Sequence, residues 1–216
     1  MKGRQLLWHV ENVFRSNFIG EKQKGFVVNK DIIFCGVGGQ GVLSVASLFI
    51  NAANDVGLHV KQTEIHGMAQ RGGAVTSQVR VSDEPIHSPI IASGTADFIV
   101  ASEPMEALRQ VSFLAKEGCI ISSMTPMKNI AYPDLDDVHG QIKDFKNNKL
   151  IDTAKICEEI TNPRAANIIL LGTLVSALNI DGLSDAIQTR IKSAFAKKGE
   201  KVVESNVLGF MKGLTD

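Results

Sequence analysis

The chain has 216 residues, 44% hydrophobic and 21% charged, enough to bury one sizeable core with at most a small appendage. Basic and acidic side chains balance at 23 each, and aromatic residues make up only 6%. A neutral chain poor in stacking rings argues against nucleic-acid and anionic-membrane partners.

Residues 1–29 differ in character from the rest of the chain. Lys2, Arg4, Arg15, Lys22 and Lys24 face only Glu11 and Glu21, while Leu6, Leu7, Val10, Val13, Phe14 and Phe18 fall at amphipathic helical spacing. The stretch reads as an N-terminal extension: an annealing arm, a flexible segment, or residues that precede the true start. Glu11, Asn12 and Arg15 break up the continuous apolar run a secretory signal needs.

Residues 30–216 form the main domain. Ile32 to Cys35 is wholly apolar, as expected of a strand covered on both faces. Glycines come next at Gly36, Gly38, Gly39 and Gly41; then Val42, Val45, Ala46, Leu48, Phe49, Ala52 and Ala53 recur at helical spacing up to Gly57. His59 to Ile65 reads as a second strand, neighbouring the first, which completes a βαβ crossover. Gly73 to Val81 alternates between apolar and polar residues, suggesting a partly solvated strand, reversed in direction.

Asp97 to Ala101 is another buried strand. Ser102-Glu103-Pro104 opens a helix, with Ser102 as cap, that runs to Gly118, and Cys119 to Ser122 makes the next strand. Between Asn129 and Asn148 the pattern gives only a strand near Ile130 and a polar stretch. Lys149 to Asp152 is the last short strand, and Thr153 caps a helix to Glu159. Asn162-Pro163 starts an apolar helix to Leu178, Leu183-Ser184 an amphipathic one to Lys197, and a last helix covers about 199–212. The alternation predicts a three-layer α/β/α sandwich: a mainly parallel (mixed) Rossmann-like sheet with a helical C-terminal part. The longest apolar stretch, Ala165 to Leu178, is interrupted by Asn167, Thr173 and Ser176 and is too short to span a bilayer.

The three cysteines, Cys35, Cys119 and Cys157, stand apart, with no CxxC pair and no histidine at zinc spacing. They read as buried thiols in a reducing cytoplasm. Three separated thiols cannot supply the four thiolates of a cubane iron-sulfur cluster.

Two loops carry the chemistry of interest. Gly36-Val37-Gly38-Gly39-Gln40-Gly41 succeeds a strand and precedes a helix, so it fits the G-x-G-x-x-G dinucleotide fingerprint, with Glu64 near the end of the second strand. NAD or FAD binding and simple close strand-to-helix packing both account for it. The second loop, Glu64-Ile65-His66-Gly67-Met68-Ala69-Gln70-Arg71-Gly72-Gly73, has no place in the dinucleotide scheme. Arg71 before two glycines is an unobstructed guanidinium fork, suited to an anion or carbonyl, and equally to an ion pair with Glu64 or a partner chain. His66 titrates near neutrality when unperturbed, but a lone histidine does not make a general base.

GVGGQGV, EIHGMAQRGGAV and Asn162-Pro163-Arg164-Ala165-Ala166-Asn167 together resemble the gamma-type subunit of the 2-oxoacid:ferredoxin oxidoreductases, over about residues 30–212. Among these the indolepyruvate type is the nearest. The resemblance implies an oxidative decarboxylation of a 2-oxo acid with coenzyme A, giving acyl-CoA, carbon dioxide and reduced ferredoxin. It also implies that thiamine diphosphate and 4Fe-4S clusters sit in a large catalytic partner subunit, that ferredoxin and CoA act through the complex, and that this chain binds no cofactor and is inactive alone. The residues expected to face the partner or a ligand are Gly36, Gly38, Gly39, Gln40 and Gly41 in the first loop, and Glu64, His66, Gln70, Arg71, Gly72 and Gly73 in the second. None is assigned as catalytic. An independent NAD(P)- or FAD-binding oxidoreductase and a purely structural assembly subunit are the alternatives.

Overall fold

The computed structural model describes residues 27–67, 72–128 and 131–215. The expected helix of the N-terminal extension, the expected strand at Ile130, and Gln70 and Arg71 lie outside the described residues.

Among the described residues, six strands form one sheet: β1 (Asn29–Val37), β2 (His59–His66), β3 (Ala74–Ser82), β4 (Ala96–Ala101), β5 (Leu114–Ser123) and β6 (Asn147–Ile151). Their order is β2-β3-β1-β4-β5-β6. β4, β5 and β6 run parallel to β1, whereas β3 is antiparallel to both β1 and β2. β1 is longer than its apolar run because the polar residues at its start are paired. Arg80 Nε donates to Asp31 at 2.7 Å, and Asp97 accepts from the Asp31 amide at 2.8 Å and from Lys30 at 3.1 Å.

The reversed direction expected for β3 is found, but its place is not the expected one. β3 lies between β1 and β2, so the first two strands of the expected βαβ unit are not neighbours. A strand inserted at the centre of a sheet is covered on both sides, which is why Thr76, Ser77, Gln78 and Val79 are all buried rather than partly solvated.

Among the described residues, seven α-helices cover the sheet unequally. α1 (Val42–Asp55), α4 (Thr153–Glu159), α5 (Ala166–Leu178), α6 (Leu183–Phe195) and α7 (Glu200–Thr215) pack on one face, around a core containing Phe34, Phe49, Ile169, Leu174, Ile187 and Phe210. The Phe34 and Phe49 rings lie 5.8 Å apart at their centroids, within the range of favourable aromatic pairs. Among the described residues, the opposite face carries α2 (Pro104–Arg109), α3 (Leu135–Lys143), a 3-10 turn (Val111–Phe113) and the segment around Ile91, over a smaller core with Ile33, Cys35, Ile99 and Ile120.

α5 is apolar on all sides because it is enclosed, with buried residues running without a break from Ile168 to Val175. It meets α7 backbone to backbone: a Cβ on Gly172 would strike the Phe210 carbonyl, and one on Gly213 the Ile169 carbonyl.

Several boundaries differ from expectation. α2 ends at Arg109, and β5 starts at Leu114, because Leu108, Val111, Phe113 and Leu114 reach the second core through a 3-10 turn rather than a longer helix. α3 replaces the unassigned polar stretch; Asp134 caps it by accepting from the Asp136 amide at 2.9 Å, and Val138, His139 and Ile142 form its buried stripe. Glu103, not Ser102, caps α2, accepting from the Glu106 amide at 2.9 Å, and Asp152, not Thr153, caps α4. α5 starts at Ala166, because Asn162 Oδ1 accepts from the Arg164 amide at 3.1 Å and holds Asn162-Pro163 in a turn. Among the described residues no helix is long and apolar enough to cross a membrane.

Candidate functional site

Both glycine loops end at the carboxyl edge of β1. The second loop turns the chain from β2 into β3, so its returning end, rather than a second parallel strand, lies beside the first loop. Val37 pairs with Ala74 in the ladder, and the Gly38 amide donates to the Gly73 carbonyl at 2.8 Å. Gly72 takes a φ of +74° in this return, a backbone setting glycine adopts without steric cost.

The interior of the first loop is filled by its own Gln40. The Gln40 carboxamide accepts from the Val37 amide at 2.8 Å and donates to the Ser102 carbonyl at 3.0 Å, tying the ends of β1 and β4 together. Gly36 is glycine for that reason: a Cβ there would lie 2.8 Å from Gln40 Oε1 and 2.9 Å from Val42 Cγ2. Asn167 on α5 closes the loop from outside, donating its amide to the Gln40 carbonyl at 3.3 Å and the Gly41 carbonyl at 3.2 Å. Gly41 has a φ of +78°, and a Cβ on it would sit 2.6 Å from Asn167 Nδ2.

These contacts bear on the dinucleotide reading. A pyrophosphate cradle needs backbone N–H groups directed outward. Here the Val37, Gly38 and Gln40 amides donate within the chain, to Gln40 Oε1, the Gly73 carbonyl and the Val37 carbonyl. Glu64 is also misplaced for reading a ribose. It lies on the edge strand β2, two strand spacings or about 9–10 Å from β1, and accepts from Gln62 Nε2 at 2.9 Å. His66 ends β2.

A cleft of about 530 Å³ opens beside the first loop, lined by Gln40, Ser102, Ser123, Thr153, Cys157 and Pro163 among others. It sits over the carboxyl ends of the parallel strands, where open α/β sheets hold ligands, and has the volume of a small-molecule site. Its polar groups are mostly hydroxyls. Ser123 Oγ and Thr153 Oγ1 lie 2.7 Å apart, and Ser123 Oγ also accepts from the Thr125 amide at 3.0 Å. Burial raises the Cys157 thiol pKa, so the cleft presents it as a neutral thiol. None of these residues except Gln40 stands out as a site residue in the sequence. Isolated Ser and Thr at strand ends carry no spacing signal, and only the parallel order of β1, β4, β5 and β6 brings them together.

A second, smaller group of polar residues lies on the other side of the loops. Glu103 and Glu106 are buried at 1% and 5% exposure. The Tyr132 hydroxyl donates to Glu103, and Arg109 lies 3.2 Å from Glu106. Burial raises the Glu106 pKa against the lowering effect of Arg109, with the Glu103 carboxylate adding to the rise. Burial and the bond to Glu103 likewise raise the Tyr132 phenol. Among the described residues no group of three or more His, Cys, Asp or Glu side chains is arranged to hold a metal.

Residues 31–215 match the family described as pyruvate ferredoxin/flavodoxin oxidoreductase. Indolepyruvate oxidoreductase subunit IorB of Archaeoglobus fulgidus is 33% identical over 195 residues, covering 85% of this chain and 92% of the relative. 2-Oxoglutarate synthase subunit KorC of Methanothermobacter marburgensis is 28% identical over 193 residues, 86% and 95% of the two chains. The crystal structure of pyruvate oxidoreductase subunit PORC from Thermotoga maritima shares the fold with a TM-score of 0.66 at 22% identity, over 87% of this chain and 96% of that one. A 2-oxoglutarate:ferredoxin oxidoreductase chain from Magnetococcus marinus aligns with a TM-score of 0.70 at 22% identity, over 87% of this chain but only 30% of its own length.

Proposed function

The chain belongs to the pyruvate ferredoxin/flavodoxin oxidoreductase family, as a small subunit of a 2-oxoacid:ferredoxin oxidoreductase, and we propose that its enzyme acts on indolepyruvate or a related aryl pyruvate. The observation that carries the substrate class is the 33% identity to an indolepyruvate oxidoreductase subunit over 92% of that relative, against 28% to a 2-oxoglutarate synthase subunit over a similar span. The reaction oxidises the 2-oxo acid by two electrons. The bond between the carboxylate and the carbonyl carbon breaks to release carbon dioxide, a thioester forms with CoA, and ferredoxin takes the electrons.

In this reading thiamine diphosphate and the iron-sulfur clusters belong to a large partner subunit. The cysteines of this chain do not suit a cluster. Cys35 is buried in β1 on one side of the sheet, where its thiol donates to the Glu106 carbonyl at 3.6 Å, while Cys157 belongs to the core on the other side. They do not converge, and the four thiolates a cubane requires are not available.

The role left to this chain is to dock on the partner and shape the carboxyl edge of its own sheet against it. Gly36, Gly38, Gly39, Gln40 and Gly41 provide a loop held rigid from within; Glu64, His66, Gln70, Arg71, Gly72 and Gly73 belong to the second loop, whose returning end is bonded to it. Within this edge Gln40 acts as a brace rather than a bonding group for the partner, because its carboxamide already joins Val37 to Ser102.

The test is a substrate profile of the complex that this chain forms with a large catalytic subunit. Indolepyruvate should give a kcat/KM at least tenfold above those of pyruvate and 2-oxoglutarate, monitored as CoA-dependent ferredoxin reduction. A preference for 2-oxoglutarate or pyruvate would reject the aryl pyruvate assignment and leave the family assignment untouched.

A further inference from the structure

The buried acidic group beside the second loop is built as a receptor. Val37, Gly72, Gly73, Met105, Met127 and Pro133 wall a pocket of about 180 Å³, with Glu103, Glu106, Arg109 and Tyr132 also lining it. The two carboxylates are satisfied unequally. Each Glu103 oxygen has one donor and room for a second: Oε1 accepts from the Tyr132 hydroxyl and Oε2 from the Glu106 amide. Glu106 is less well served. Its Oε1 faces Arg109, which is half exposed, while Oε2 is fully buried with no hydrogen-bond partner among the described residues.

A buried carboxylate oxygen without a donor is costly, and costlier still beside a second carboxylate. One guanidinium against two carboxylates leaves the described lining one negative charge in excess. Burial resolves part of this by raising the Glu106 pKa; an inserted cation would resolve it fully. The walls favour a particular kind of cation. Met105, Met127, Val37 and Pro133 offer apolar surface above the acidic floor, which matches a side chain with an aliphatic stem and a charged, multiply donating head. A free metal ion would leave those walls without a partner, and a lysine offers no planar fork to serve two carboxylates.

We propose that this pocket receives an arginine side chain of the large partner subunit, its stem along Met105 and Met127 and its guanidinium donating to Glu106 and Glu103. The proposal rests on the reading of the chain as a subunit. It gives the docking edge a specific anchor: a complementary charge pair desolvated at the centre of an interface, where single residues carry most of the binding free energy.

The test has two arms. In the first, the full chain labelled with ¹³C at Glu and Met side chains is titrated with ethylguanidinium, which carries both stem and head, and with ethylammonium. Saturable shifts at Glu106, Glu103, Met105 and Met127 are expected, tighter for ethylguanidinium. Glu106→Gln should weaken binding at least tenfold while keeping the circular dichroism and Tm of a folded chain. Glu117→Gln, at a surface ion pair with Lys146, should change it less than twofold. No saturable shift, or equal binding to Glu106→Gln, overturns the pocket. Arg71→Ala is the decisive control for the source: tighter probe binding than to the unsubstituted chain would assign the pocket to the chain's own arginine and overturn the partner assignment. In the second arm, Glu106→Gln co-expressed with the large subunit should be retained at least fivefold less than the unsubstituted chain, and equal retention overturns the docking role. If the unsubstituted chain associates with no large subunit, the subunit reading fails, and the titration of the pocket is judged separately.

Discussion

Gln40→Ala is the substitution that most directly probes the first loop, because its cost can be worked from two hydrogen bonds. Removing the carboxamide orphans the amide of Val37, a residue 4% exposed, and takes the donor from the carbonyl of Ser102, a residue 8% exposed. An unpaired buried donor costs about 1–3 kcal/mol, and loss of an ordinary hydrogen bond where water can enter about 0.5–1.5 kcal/mol. Ser102 lines the open cleft, so water can reach its carbonyl; the Val37 amide is turned into the loop, onto Gln40 Oε1. The sum is about 1.5–4.5 kcal/mol, which in a domain of this size lowers Tm by roughly 3–18 °C. Differential scanning calorimetry of the full chain reads the shift, with urea unfolding as the second probe. Gln40→Glu should keep the bond from Val37 and set a carboxylate oxygen against the Ser102 carbonyl, so it should not restore stability. A loss below about 0.5 kcal/mol for Gln40→Ala, the level of an indifferent surface change, would refute the account of Gln40 as an internal brace.

Other expected outcomes come from different parts of the fold. Gly213→Ala should destabilise by about 3 kcal/mol, the upper end of overpacking costs, because its Cβ would meet the Ile169 carbonyl. Gly140→Ala, on α3 with open space around the Cβ, should stabilise by about 0.5–1 kcal/mol; urea midpoints compare the two. Glu106 has a folded pKa raised above its unfolded value, so its contribution is fully favourable below the unfolded pKa of about 4.3 and is lost as pH rises through the folded value. Glu106→Gln should therefore gain stability relative to the unsubstituted chain between pH 4 and 8, a trend absent if the carboxyl titrates normally. NAD(H), NADP(H) and FAD should leave the Tm of the full chain unchanged, whereas a true ligand at about a hundredfold its Kd would add roughly 2.7 kcal/mol.

The elements are legible wherever one local rule dominates. The apolar run of β1, the helical spacing of α1 and the enclosed α5 announce themselves. The position of β3 does not, because strand order depends on which edges pair in space, and alternation in Val75, Val79 and Val81 reads as partial exposure whether a strand is central or peripheral. That one insertion moves Glu64 away from the first loop and weakens the dinucleotide reading. α3 escapes notice although Asp134, Asp136 and Asp137 form a cap and acidic first turn; its buried stripe of Val138, His139 and Ile142 is too short and mixed to stand out. In the site, the glycine loop and the Asn167 motif are visible, and the structure gives them a joint reason: Asn167 donates to the Gln40 and Gly41 carbonyls. The acidic pair is hidden, since Glu103 and Glu106 at the start of a helix look like ordinary cap and dipole residues until Tyr132 folds over them from 29 positions along the chain.

Reconstitution tests the central claim most directly. A candidate large subunit, supplied with thiamine diphosphate and iron, is assayed for CoA-dependent ferredoxin reduction before and after addition of the full chain. Stoichiometric association, with turnover rising at least tenfold to a plateau at one small subunit per large one, is the predicted result. A large subunit equally active alone, with no association detected by size-exclusion chromatography, would contradict the account.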